Sequence, residues 1–101
     1  MKIGRKEKSG ELYRAILRLK DEQECYDFFQ DLCTVPELRS MEQRFEVAYL
    51  LYKGWIYSDI LDRTGASSAT ISRVSRSLNY GTGAYGRLFA REKASQTEET
   101  P

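Results

Sequence analysis

Between Ser67 and Arg76 the chain reads Ser-Ser-Ala-Thr-Ile-Ser-Arg-Val-Ser-Arg, a run of hydroxyls and guanidinium groups without an acid. That chemistry suits a polyanion. Hydroxyls and free backbone amides donate to phosphate oxygens, and arginine presents a planar fork of donors that matches the edge of a guanine. Ser67, Ser68 and Thr70 are placed to hold phosphates. Arg73 and Arg76 are candidates for guanine contacts in a major groove. Ala69 and Ser72 suit small contacts, such as a thymine methyl or a base-edge hydrogen bond.

The elements that must position these residues are two short helices within residues 55–78, hinged at Gly65. Gly65 supplies a left-handed backbone position without a Cβ penalty. Ser67 is a good N-cap for the second helix, and Ile60 and Leu61 give the first helix its apolar side. Ile71, Val74 and Leu78 recur at i, i+3 and i+7 as one buried stripe. The polar residues are thereby left on the other face. This is the sequence form of a helix-turn-helix, whose second helix enters the major groove of DNA. An ordinary helical hairpin with a glycine turn is the plainer alternative. The acid-free face, the turn glycine and the cap two residues later favour the helix-turn-helix.

With 101 residues the chain is short enough for one domain. Its net charge is only +1, but the charge is segregated. Residues 1–20 hold seven Lys/Arg against two Glu, and residues 21–53 hold three against eight acids. Residues 54–91 hold five Arg against two Asp, and the last ten residues carry net −2. The positive share lies on the proposed reading half and on the N-terminal residues. Catalysis has no foothold in this inventory. There is no histidine, no glycine-rich phosphate loop followed by Lys-Ser/Thr, and no base to activate the serines. Cys25 and Cys33 are too few for a structural zinc site and are not spaced as a redox pair. They read as small apolar thiols, with a disulfide as the alternative. No apolar run approaches a membrane span and no signal-peptide pattern is present, so a cytoplasmic protein without metal or membrane partner is expected.

In chain order, residues 1–10 read as a flexible basic arm and residues 11–94 as the helical domain. A first helix runs over Glu11–Lys20, with Leu12, Ile16 and Leu19 on one face. Asp21 then caps a second helix reaching about Cys33, with Glu24 returning to the cap. Cys25, Phe28, Phe29, Leu32 and Cys33 face inward. Glu22, Asp27 and Asp31 line the outside, a solvated face rather than a cation site. Thr34-Val-Pro-Glu37 starts a third helix with Pro36 tolerated in its first turn. Ser40-Met-Glu-Gln43 repeats the capping pattern, predicting a break near Ser40 and a longer helix closed by Gly54. Val47–Tyr52 on that helix is apolar almost all the way round, which calls for partners on every side. A second copy of the chain is the simplest supply, so a homodimer is predicted. Trp55 and Tyr57 either pack the motif onto the long helix or stack on DNA. After the glycine-rich NYGTGAYG, a last helix over about 84–94 presents Tyr85, Leu88 and Phe89, and residues 95–101 form a disordered tail.

Helices flanking a long central one, followed by GASSATISRVSRSL and NYG, resemble the tryptophan repressor superfamily and, within it, the YerC/YecD type. The resemblance spans about Leu12 to Arg91 and is specific from Gly65 to Tyr80. It implies an all-α, Trp-repressor-like multi-helix domain, intertwined as a homodimer, whose helix-turn-helix binds operator DNA. In the tryptophan repressor an arginine from the central helix, an arginine from the recognition helix and a glycine after the latter contribute to the indole pocket. These positions carry over to Arg44, Arg73 and Val74, and Ser77 completes the possible effector pocket. There is a length difference of about one residue before Gly65. The valine departs from the pattern, because a branched side chain there intrudes on the space a flat indole occupies. Arg44 pairing with Glu42 or Glu46 on the surface, Arg73 on DNA and Val74 in the core is the alternative without a ligand. The expected function is therefore a sequence-specific regulator, with repression as the default. It would bind a pseudo-palindromic operator on double-stranded DNA as a homodimer, with no cofactor and without tryptophan gating. A dimeric helical adaptor that has lost DNA binding is the competing expectation. A further variant keeps DNA binding and adds a small-molecule corepressor of unknown identity at Arg44 and Arg73.

Overall fold

A computed structural model of the chain describes residues 8–99. Among these residues there are helices and no strand: α1 (Gly10–Leu17), α2 (Glu22–Leu32), α3 (Val35–Tyr52), α4 (Tyr57–Thr64), α5 (Ser68–Tyr80) and α6 (Ala84–Glu99). The fold is all-α. Contacts divide the chain into two units, one up to Leu38 and one from Arg39, where a single domain over 11–94 is expected from the sequence. Among the described residues no helix is long and apolar enough to cross a membrane.

In the first unit, α1 begins at Gly10, within the expected arm, and ends three residues short of Lys20. The cap of the next helix explains the shortening. Asp21 adopts extended backbone and its carboxylate accepts the Glu24 N–H at 2.8 Å. Glu24 returns not to the cap residue but to the amide before it, accepting from Lys20 N–H at 3.3 Å. Lys20 and Asp21 are thus committed to starting α2. That helix ends at Leu32, with Cys33 extended behind it. Neither α1 nor α2 contains a buried residue, and Leu32 is 52% exposed where burial is expected from its spacing. Cys25 and Cys33 are half-buried free thiols. Residues 1–7 of the expected arm lie outside the described residues.

The predicted break near Ser40 does not occur, and α3 runs without interruption from Val35 to Tyr52. Of the two capping patterns only the first is used. Thr34 Oγ1 accepts the Glu37 N–H at 3.2 Å, while Glu37 Oε1 accepts the Thr34 N–H at 2.8 Å, a reciprocal box. Once the helix has begun, the good helix formers around Ser40 carry it through that residue. At the other end Gly54 takes a left-handed φ of 91°. Its N–H donates to the Leu51 carbonyl and the Trp55 N–H to the Leu50 carbonyl, both at 3.0 Å, which is a Schellman closure.

The second unit holds the core. Val47, Ala48 and Leu50 of α3, Ile60 of α4, Ala66 of the turn, Ile71 and Val74 of α5 and Phe89 of α6 are buried in one cluster. Helix backbones approach most closely between α4 and α5 and between α5 and α6. The α3–α6 packing is aromatic instead: Phe45, Tyr49 and Tyr52 stand 5.5, 5.4 and 5.1 Å from the Phe89 ring, and Tyr85 stacks on it at 5.9 Å. Leu61, on the apolar side of α4, and Leu88, among the apolar residues that α6 presents, are 41% and 46% exposed. Helix α6 continues to Glu99, so residues 95–99 of the expected tail are helical; Gln96, Glu98 and Glu99 in this stretch favour helix. Residues 100 and 101 lie outside the described residues.

Two consequences of the local geometry are testable. The Thr34 backbone N–H, and secondarily its hydroxyl contact, hold the Glu37 carboxyl below its ordinary value of 4.5. A lowered carboxyl pKa stabilises the fold above the ordinary value, and that contribution disappears as pH falls through the lowered one. Thermal melts should show the start of α3 weakening below about pH 4.5, a dependence that Glu37→Gln removes. At Gly65 nothing lies within 4 Å of an added Cβ, but φ is 73°. Gly65→Ala should therefore lose about 1–2 kcal/mol from backbone strain alone, and Ser67→Ala about 1 kcal/mol from the lost cap, both read by denaturant unfolding.

Candidate nucleic-acid interface

The turn between α4 and α5 is built from its own side chains. Helix α4 ends at Gly65, whose left-handed backbone sends its N–H to the Leu61 carbonyl at 2.9 Å. Thr64 Oγ1 donates to the Ile60 carbonyl at 2.8 Å and accepts the Ala66 N–H at 3.1 Å. Two residues after the glycine, Ser67 caps α5: its Oγ accepts the Thr70 N–H at 3.1 Å. The Ser67 hydroxyl also bonds Thr70 Oγ1 at 3.0 Å, which ties the two hydroxyls at the helix start together.

From this cap the helix separates its two faces. Ile71 and Val74 are 0% and 3% exposed and belong to the core, with Leu78 half-buried one turn on. Ser67, Ser68, Ala69, Arg73 and Arg76 are exposed, and Thr70 and Ser72 are half-buried beside them. Ala69, Ser72, Arg73 and Arg76 fall at i, i+3, i+4 and i+7, one helical face. No acid lies in the first turn of α5. All seven residues proposed from the sequence for nucleic-acid contact are thus on or beside one solvent-facing surface, within two turns of a helix N-terminus whose free amides favour anions.

The four residues proposed for an effector pocket are arranged differently. Arg44 is exposed on α3, and Glu42, one of its expected partners, pairs with Arg39 instead at 2.5 Å. Among the described residues Arg44 makes no ion pair and no hydrogen bond with Arg73 or Ser77. Val74 packs in the core, as its branched side chain requires. Ser77 lines an open cleft of about 420 Å³ with Phe45, Gly81, Thr82, Ala84, Tyr85 and Leu88, an apolar surface with hydroxyls at its margin. A Cβ on Gly81 would run into the Ser77 carbonyl oxygen, so glycine is needed for this close approach.

Trp55 and Tyr57 are 38% and 44% exposed, so neither is fully packed against α3. The side chain that reaches the turn from farthest along the chain is Gln43, which the sequence offers only as the last residue of a capping pattern at Ser40. Gln43 of α3 donates from Nε2 to the Thr64 carbonyl at 3.3 Å. The sequence signal for this contact is a position one helical turn before Val47 on the α3 face that meets the core. Among the described residues no group of three His, Cys, Asp or Glu side chains could hold a metal ion.

Residues 7–93 match the model of the family described as Trp repressor protein. The chain is 52% identical over 90 residues to the uncharacterized protein YerC of Bacillus subtilis (strain 168), covering 89% of this chain and 86% of that protein. Among solved structures it resembles a TrpR-like protein from Eubacterium eligens ATCC 27750, with TM-score 0.81 and 56% identity over 83% of this chain and 87% of the other. A candidate Trp repressor from Staphylococcus aureus matches with TM-score 0.80 and 49% identity over 83% and 84%. A buried-stripe, capped helix behind a glycine turn and these likenesses lead to one conclusion: the chain belongs to the Trp repressor family of bacterial DNA-binding regulators, which are not enzymes, and is of the YerC type.

Proposed function

We propose that this chain is a sequence-specific transcriptional regulator, by default a repressor, acting on cytoplasmic DNA as a homodimer without tryptophan. The observation that carries the reading is the division of α5. Its apolar stripe is sealed in the core, and its acid-free face, led by a capped N-terminus, is open to solvent. In this reading α5 lies in the major groove. Ser67, Ser68 and Thr70 hold phosphates near the helix N-terminus, Arg73 and Arg76 take guanine edges, and Ala69 and Ser72 make the small contacts.

Dimerisation is supported by what the lone chain leaves uncovered. Leu17, Leu32, Val35 and Ile56 are 83%, 52%, 69% and 62% exposed, and the first two helices bury nothing. Exposed apolar surface on that scale calls for a protein partner. A second copy supplies it and also gives two recognition helices, which read half-sites about 34 Å apart. The absence of tryptophan gating rests on Val74. Its side chain occupies the core at the position where the resemblance places the pocket glycine.

Selection from random duplex DNA at physiological salt, without added ligand, should enrich a two-fold symmetric motif. Binding should weaken steeply with rising salt as phosphate counterions are released. The protein should sediment at twice 11.7 kDa. Arg73→Ala should keep the dimer and lose roughly 5- to 150-fold in affinity for the selected site, equivalent to about 1–3 kcal/mol. Added L-tryptophan should change that affinity by less than about fivefold, the low end of allosteric coupling. No enrichment, with or without tryptophan, would favour an adaptor instead.

A further inference from the structure

Beyond the residues that face outward, we infer that Gln43 is a positioning residue that sets the angle at which α5 is presented, an inference that rests on the DNA-binding reading above. The carbonyl of Thr64 closes α4, and the helix offers it no amide of its own because the chain turns left-handed at Gly65. Gln43 supplies the missing donor from another helix, Nε2 to oxygen at 3.3 Å across 21 residues of sequence, in a part-buried setting. The motif's other side-chain bonds close within four residues and fix only local shape.

These bonds are connected. Gln43 holds Thr64, the Thr64 hydroxyl holds Ala66, and Ala66 is buried at 2% exposure immediately before the Ser67 cap of α5. A polar tether therefore runs from the rigid central helix through the turn to the start of the reading helix. The opposite side of α3 is fixed by Phe45, Tyr49 and Tyr52 around Phe89, so α3 itself is braced. Base-edge hydrogen bonds depend on alignment, whereas long basic side chains follow phosphates through small displacements. Loss of the tether should therefore reduce discrimination between sequences while leaving non-specific binding almost intact.

Gln43→Met keeps length and helix preference but removes the donor, and Gln43→Lys restores a donor of similar reach. For each full-length variant the measurement is affinity for the selected duplex divided by affinity for random duplex, together with melting temperature. Amide hydrogen exchange across Gly65–Thr70 is followed in protein without DNA. Gln43→Met should lower the affinity ratio at least about fivefold, the loss of one good base contact. Exchange in the turn should accelerate, with Phe89 protection and melting nearly unchanged, and Gln43→Lys should recover the ratio because its added charge raises both affinities alike. An unchanged ratio with a discriminating wild type overturns the assignment of Gln43 alone. So does a parallel loss of both affinities and of melting temperature, which marks a merely structural contact. A wild type that discriminates no duplex overturns the DNA-binding reading itself, and unchanged turn exchange in Gln43→Met then overturns the tether as well.

Discussion

The outward face of α5 is defined by what its inward face buries. Ile71 and Val74 are held against Val47, Ile60, Ala66 and Phe89 in the same cluster. Exposing either would cost roughly 1.5–3 kcal/mol of buried apolar side chain. Rotating α5 by even one residue would carry these side chains toward water and the arginines toward the core, where an unpaired charge is far more costly. Burial therefore fixes the helix's rotation about its own axis. Gly65 and the Ser67 cap fix where it begins, and the ring cluster on Phe89 fixes the wall behind it.

Function follows from this arrangement through simple chemistry. An exposed helix N-terminus carries partial positive charge and free amides, and here it is followed by hydroxyls and two arginines without an intervening acid. The acids of the chain are concentrated before residue 54. The modest net charge of +1 thus conceals a segregation of charge, with the acid-free start of α5 set apart from the acidic stretch before residue 54.

The helix-turn-helix was legible because its signals are local. Gly65 is left-handed, Ser67 caps, and Ile71 and Val74 are buried, as their types and spacing predict. Gly54 closes α3 and Asp21 caps α2 for the same reason. The failures also have physical causes. A Ser-x-x-Gln pattern at Ser40 carries the same letters as a cap, but Thr34 and Glu37 had already satisfied the helix start, so nothing stopped α3 there. Leu32, Leu61 and Leu88 fit an apolar period yet remain exposed, because periodicity shows which face is apolar but not what covers it. The bond from Gln43 to Thr64 is not legible because a hydrogen bond across 21 residues leaves no mark in local pattern, which offers Gln43 only as part of a cap. The apolar run Val47–Tyr52 calls for partners on every side; Val47, Ala48 and Leu50 find them within the chain, while Tyr52 stays 40% exposed.

The most direct test of the account is a titration of isotope-labelled protein with the selected duplex, followed by backbone amide shifts. The account predicts that the largest changes fall on Ser67–Arg76, with the acidic face of α2 at Glu22, Asp27 and Asp31 silent. Changes centred on α2 with α5 unmoved would contradict it, since the surface engaging the ligand would then not be the one that the buried stripe of α5 turns outward.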